Sequence, residues 1–221
     1  MAGENGACCG QSRYPAGARQ NGRHGMNGGQ EIEQPGFIRL ETERMILRDH
    51  VPSDLPTHHA LFTDEKAMHY LADLQSRTMA ESESNLQFSM KEIGSGDRAH
   101  IFLRMEEKHT GSHIGEIGYT VNTITPLGKL AGLGYFTYSC FWNQGYTSEA
   151  VKELMRFAFM EDGVYRMSAG CLKENAGSER VMQKCGFIKE AELKHFVWHD
   201  GRLKDRVVYR LLKDEWLALK S

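Results

Sequence analysis

The chain has 221 residues with a formal net charge of -2, and 40% of it is hydrophobic and 25% charged, a composition that suits one globular domain with a real core. The near balance of charge argues against a nucleic-acid or membrane surface, and no apolar run approaches the ~20 residues of a bilayer span. The first residues lack the apolar stretch of a secretory signal. Five cysteines, Cys8, Cys9, Cys140, Cys171 and Cys185, form no CxxC pair and stand beside no ligand-spaced histidines. Reduced thiols in a cytoplasmic protein, and no metal, are therefore expected. The histidines are scattered. His58 and His59 are neighbours and do not share a helix face, so surface or partly buried positions are expected for them.

Residues 1–35 are rich in Gly, Asn, Gln, Arg and Ser. They cannot bury enough apolar surface to offset their ordering entropy, so a disordered tail is expected there and a domain over 36–221. Ile38 to Leu47 reads as a strand interrupted by the charged run Glu41 to Arg44. Ser53-Asp54 is a helix start, and Pro56 suits the first turn of a helix reaching Leu71. Thr78 with Glu81 makes a capping box for a helix that stops at Gly94. Ala99 to Met105, Ile114 to Val121 and Gly132 to Ser139 read as strands. A helix over Thr147 to Met160 follows, with Ala150, Val151, Leu154 and Ala158 on one face. Tyr165 to Leu172 is a strand, and Asn175 caps a helix that runs to Gly186. Asp200-Gly201 turns a closing hairpin of Ile188 to Trp198 and Arg202 to Leu212. The order of elements predicts a mixed α+β fold with helices on both faces of a sheet.

The strand ending at Ser139, the tight loop Phe141 to Tyr146 and the helix from Thr147 form a possible anion cradle. A helix start leaves amides unpaired and carries partial positive charge, and Gly145 lets the backbone approach closely. There is no GxxxxGK[ST] and no GxGxxG, which disfavours nucleotide kinases and dinucleotide dehydrogenases.

These segments resemble the GNAT superfamily of acetyl-CoA-dependent N-acetyltransferases, and within it the Rim-type branch that includes ribosomal-protein N-terminal acetyltransferases. Leu40 to Arg48 is similar to the branch's opening strand and Gly115 to Tyr119 to its third. Phe141-Trp142-Asn143-Gln144-Gly145-Tyr146-Thr147-Ser148-Glu149-Ala150 is similar to its CoA pyrophosphate loop. Asn175-Ala176-Gly177-Ser178, on to Met182, Lys184, Gly186 and Phe187, is similar to its Asn-x-x-Ser helix. The loop departs from the superfamily pattern at Trp142 and at Thr147, where Gly or Ala is usual. The resemblance implies a largely antiparallel sheet of about seven strands, splayed in the middle, with about four helices. It implies that Phe136, Thr137 and Tyr138 lie beside the pantetheine, and that backbone amides of Gln144, Gly145, Tyr146, Thr147 and Ser148 hold the pyrophosphate. Asn175 would contact pantetheine or acceptor, and Ser178 would lie near the sulfur.

Acetyl transfer to an amine needs a neutral amine, a donor for the oxyanion and a proton for the thiolate. Glu116 on the central sheet is the candidate base; the alternative is a solvent-facing strand residue. A backbone N–H near Phe136 or Thr137 would serve the oxyanion. Many members of the superfamily place a Tyr on the last core helix. Here Ser178 to Phe187 holds none, and Ser178 is the remaining hydroxyl; its alternative is a first-turn backbone bond. Asn175 is equally a plain N-cap. The acceptor would be a protein N-terminus or a small-molecule amine, with no nucleic acid or membrane partner, and the chain a monomer or homodimer. A CoA-binding sensor or scaffold without catalysis is the competing reading.

Overall fold

A computed structural model describes residues 35–219. The tail expected over 1–35, with Cys8 and Cys9, lies outside these residues save for Pro35. The charged run Glu41 to Arg44 reverses the chain instead of interrupting one strand. Strands β1 (Arg39–Glu41) and β2 (Met45–Asp49) pair antiparallel with Leu40 opposite Leu47. Thr42 Oγ1 accepts the Met45 N–H at 2.9 Å and closes the turn.

The helix expected from Leu55 to Leu71 is two helices, α1 (Leu55–Phe62) and α2 (Glu65–Met68). Asp64 separates them because its carboxylate caps the second, accepting from Ala67 N–H at 2.7 Å. Helix α3 (Met79–Met90) opens on the expected Thr78–Glu81 capping box. Strands β3 (His100–Glu107), β4 (His113–Thr125) and β5 (Gly128–Thr137) form a meander, and the β4–β5 hairpin extends well beyond the expected strands. Then come α4 (Tyr146–Met160), β6 (Val164–Leu172), α5 (Ala176–Lys184), β7 (Ile188–His199), β8 (Arg202–Leu212) and a further short helix, α6 (Lys213–Ala218). Asp200 and Gly201 both take positive φ, 50° and 74°, as a two-residue hairpin turn requires.

Among the described residues eight strands form one sheet in the order β1-β2-β3-β4-β5-β6-β8-β7. Only β5 and β6 run parallel. The sheet has one strand more than expected because the opening segment is a hairpin. Among the described residues there are two more α-helices than expected, from the division at Asp64 and from α6.

The two faces differ in chemistry. On one, α4 lays Ala150, Val151, Leu154, Met155 and Ala158 on Met45, Leu47, Ile101, Leu103, Met105 and Ile117. Leu154 is 0% exposed, and burial of such a side chain stabilises by about 2 kcal/mol. The other face carries a smaller apolar cluster, Leu61, Phe62, Ala67 and Met68, with Phe136 and Tyr138 against it. Beside it, under α1, lies a buried polar layer. Arg48 joins Asp54 and Glu106, and Arg104 joins Glu106 at 2.7 Å and Thr57 Oγ1 at 2.7 Å.

Candidate active site

Pairing between β5 and β6 runs from Lys129↔Val164 to Gly132↔Ser168 and stops there. Strand β5 continues to Thr137 and β6 to Leu172. Beyond Gly132 the two strands therefore face each other unpaired across a gap. Tyr138 N–H donates to Ile114 O on β4 at 3.0 Å. Backbone direction alternates along a strand, so Phe136 also turns its peptide groups toward β4. Tyr135 and Thr137 turn theirs into the gap.

A cavity of about 520 Å³ fills this gap. It is bordered by β5 from Leu133 to Thr137, by the loop and first turn of α4, and by Ala169, Gly170 and the start of α5. Lys66, Ala67, Tyr70 and Leu71 border its far end. At its mouth Asn143 and Gly145 adopt left-handed backbone, φ 59° and 85°, which turns the chain abruptly into α4. No side chain caps α4, in contrast to Thr78 on α3 and Asn175 on α5. The first-turn amides of α4 thus present unpaired donors and the positive end of the helix dipole to the cavity. Arg44 braces this loop: its guanidinium bonds Glu149 at 2.8 Å and Gln144 O at 3.0 Å, and lies 4.2 Å from the centre of the Tyr146 ring.

A helix N-terminus at the opening of a strand pair is suited to an anion. The model of the acetyltransferase (GNAT) domain family matches residues 44–188. The chain belongs to the GNAT acetyltransferases. It is 28% identical over 179 residues to the uncharacterized N-acetyltransferase YoaA of Bacillus subtilis, covering 80% of this chain and 98% of that one. It is also 28% identical over 108 residues to the putative ribosomal N-acetyltransferase YdaF of the same organism, covering 49% of this chain and 58% of that one. Among solved structures, RimL, the ribosomal L7/L12 α-N-protein acetyltransferase in complex with coenzyme A, superposes with a TM-score of 0.70 at 20% identity, covering 80% and 99%. The ribosomal-protein-S5-alanine acetyltransferase of Vibrio fischeri gives 0.69 at 20% identity, covering 81% and 98%. These neighbours accord with the Rim-type resemblance, and the fold they share is that of this GNAT chain.

Of the site residues read from the sequence, Phe136, Thr137, Gly145, Thr147, Ser148, Asn175 and Ser178 border the cavity of this GNAT domain. Gln144, Tyr146 and Tyr138 do not. The Gln144 side chain bonds Cys140 O at 2.6 Å, and the Tyr146 hydroxyl donates to Glu107 at 2.7 Å. Tyr138 follows Phe136 onto the α1 side, where its hydroxyl reaches Thr57 O at 3.4 Å. Asn175 performs the capping role, its Oδ1 accepting from Ser178 N–H at 3.1 Å. Glu116, expected either beside the acceptor cleft or in solvent, does not face solvent. It is 6% exposed, lies under α1 with Oε1 2.6 Å from His58 Nδ1, and does not border the cavity. Burial alone would raise its pKa, but the neighbouring His50 and His58 imidazoles and the His58 bond hold it below the usual glutamate value.

Tyr135 was not singled out in the sequence. Its hydroxyl crosses from β5 to α5, 3.0 Å from Ser178 Oγ and 3.0 Å from Ser178 O. Burial pushes its pKa up, more than the Ser178 bond lowers it. It therefore stays a protonated phenol at neutral pH. The histidines also differ from expectation: His50, His58, His113 and His199 are buried.

Proposed function

We propose that this GNAT domain transfers acetyl from acetyl-CoA to a primary amine, a protein N-terminus or a small-molecule amine, by direct attack of the nitrogen on the thioester. The gap between β5 and β6, opening onto the uncapped start of α4, carries this reading. The amides of Tyr135 and Thr137 that face the gap would pair with the pantetheine as a neighbouring strand would, and the same donors suit the oxyanion. The amides from Gly145 to Ser148 would hold the pyrophosphate.

As the nitrogen–carbon bond forms and the carbon–sulfur bond breaks, the thiolate needs one proton and the new amide must lose one. Ser178 and Tyr135 form a hydroxyl pair that can supply the first. An α-amine, with a pKa near 8, is about one-tenth neutral at pH 7. It can lose its proton to water in the open cavity, so Glu116 is not required to reach it. The charged residues bordering the cavity are Lys66, Glu174, Arg180 and Lys184, and Glu174 is already paired with Lys204. The three cations suit the phosphates of CoA.

The test is a thermal melt with CoA, followed by thiol release from acetyl-CoA with a panel of peptides, monoamines and spermine. CoA at a hundredfold its Kd would stabilise by about 2.7 kcal/mol, and at least one amine of the panel would release thiol. Stabilisation without turnover on any acceptor would favour a sensor or scaffold. No stabilisation by CoA would defeat both readings.

A further inference from the structure

The polar layer under α1 holds one anion more than its arginines match. Arg48 and Arg104 lie against Asp54 and Glu106, which leaves buried Glu116 facing imidazoles. His58 and His50 are 0% and 1% exposed. His58 Nδ1 is 2.6 Å from Glu116 Oε1, and His50 Nε2 is 3.7 Å from Glu116 Oε2. The three ligand atoms lie within 4.8 Å of one another. Among the described residues both ring nitrogens of His50, and Nε2 of His58, are buried with no hydrogen-bond partner, and an unpartnered buried polar group is destabilising. His50 Nδ1 faces Asp54 Oδ2 at 3.7 Å, and Arg48 holds Asp54. Imidazoles that ligate metals are commonly backed by a carboxylate in this way. His113 Nε2 also lies 4.0 Å from Glu116 Oε1, but both its ring nitrogens face carbonyls, those of Thr57 and Gly115.

We propose that His50, His58 and Glu116 form a buried site for a divalent transition ion, with zinc as the leading occupant. Two imidazoles and a carboxylate are a donor set that zinc takes. Ligands about 2.1 Å from a tetrahedral ion stand about 3.4 Å apart. The His50–Glu116 pair is already close to that spacing, and the His58–Glu116 pair opens by about 0.8 Å as the ion replaces their shared proton. Burial implies loading during folding, with release of that proton. The ligands come from separate parts of the chain, which is why no motif announces them.

Full-length protein is expressed with zinc, dialysed against a mild chelator and assayed for metal. About one zinc per chain is expected to persist, and it should fall at least tenfold in His50→Ala and Glu116→Gln. A second group, His69, His199 and Asp200, is tested by His199→Ala, which should keep its zinc. Loss of zinc in His199→Ala alone would assign the ion there and overturn the proposal. Refolding the unsubstituted protein with cobalt decides the matter if His50→Ala fails to fold. Tetrahedral ligand-field bands without thiolate charge transfer are expected. The spectrum of the aqueous ion, with background zinc, would mean that protons and water occupy the site.

Discussion

Ser178 and Tyr135 reach one another from different elements, and what each contributes can be separated by deleting one oxygen at a time. Ser178→Ala is expected to lower kcat about ten- to a hundredfold, the lower range for a general acid because a thiolate leaves readily. KM for acetyl-CoA should change little. Tyr135→Phe keeps the ring and loses the hydroxyl, so a smaller loss is expected. The double variant should lose less than the product of the singles, since the two hydroxyls act as one unit. Steady-state kinetics on the three variants checks this; unchanged kcat in all three would remove the pair from the mechanism. Ser178 was legible because a four-residue motif carries it. Tyr135 was not, because a strand's period of two does not say which parity faces a cleft until its neighbours are placed. Tyr138, which the resemblance places beside the pantetheine, packs with Phe136 against the Leu61–Met68 cluster on the α1 side.

The loop before α4 depends on backbone conformation and on one brace. A side chain at Gly145 would have to adopt φ 85° with its Cβ 3.4 Å from the Arg44 guanidinium, a conformation that costs an L residue roughly 1–2 kcal/mol. Gly145→Ala is therefore expected to raise KM for acetyl-CoA about tenfold with kcat nearly unchanged, and Arg44→Ala several-fold through a loosened loop. Equal KM values, with wild-type melting behaviour, would show that the loop does not grip the coenzyme. Local chemistry made many elements readable: the Thr78–Glu81 box, the apolar stripe of α4, the Asn175 cap and the Asp200-Gly201 turn. What escaped was decided by competition between neighbours. Asp64 caps a new helix where apolar spacing suggested continuation, and Thr42 closes a turn where hydrophobic residues on both sides suggested one strand.

Across the whole molecule the sheet has an apolar face under α4 and a charged one under α1, and the second sets the response to acid. Burial alone would raise the Glu106 pKa, but bonds from Arg48 and Arg104 hold it below the usual glutamate value. A depressed carboxylate contributes stability above its unfolded pKa, near 4.3, and loses it as pH falls through the folded value. The melting temperature is expected to drop steeply below about pH 4, and Glu106→Gln, less stable at pH 7, should show a shallower drop. Parallel slopes in the two proteins would contradict this. The charged face was illegible because its members, spread from Arg48 to Glu116, meet only once the sheet is built. Its histidines looked scattered for the same reason. One consequence follows from where the sheet leaves backbone unpaired. At its outer margins β1 is only three residues long, and β7 is broken by two register shifts and carries Lys189, Glu190, Glu192 and Lys194, features that discourage intermolecular strand docking. The bare stretches of β5 and β6 are enclosed between helices instead, so the protein can keep open hydrogen-bonding groups for a small guest without offering them to another copy of itself as a template for aggregation.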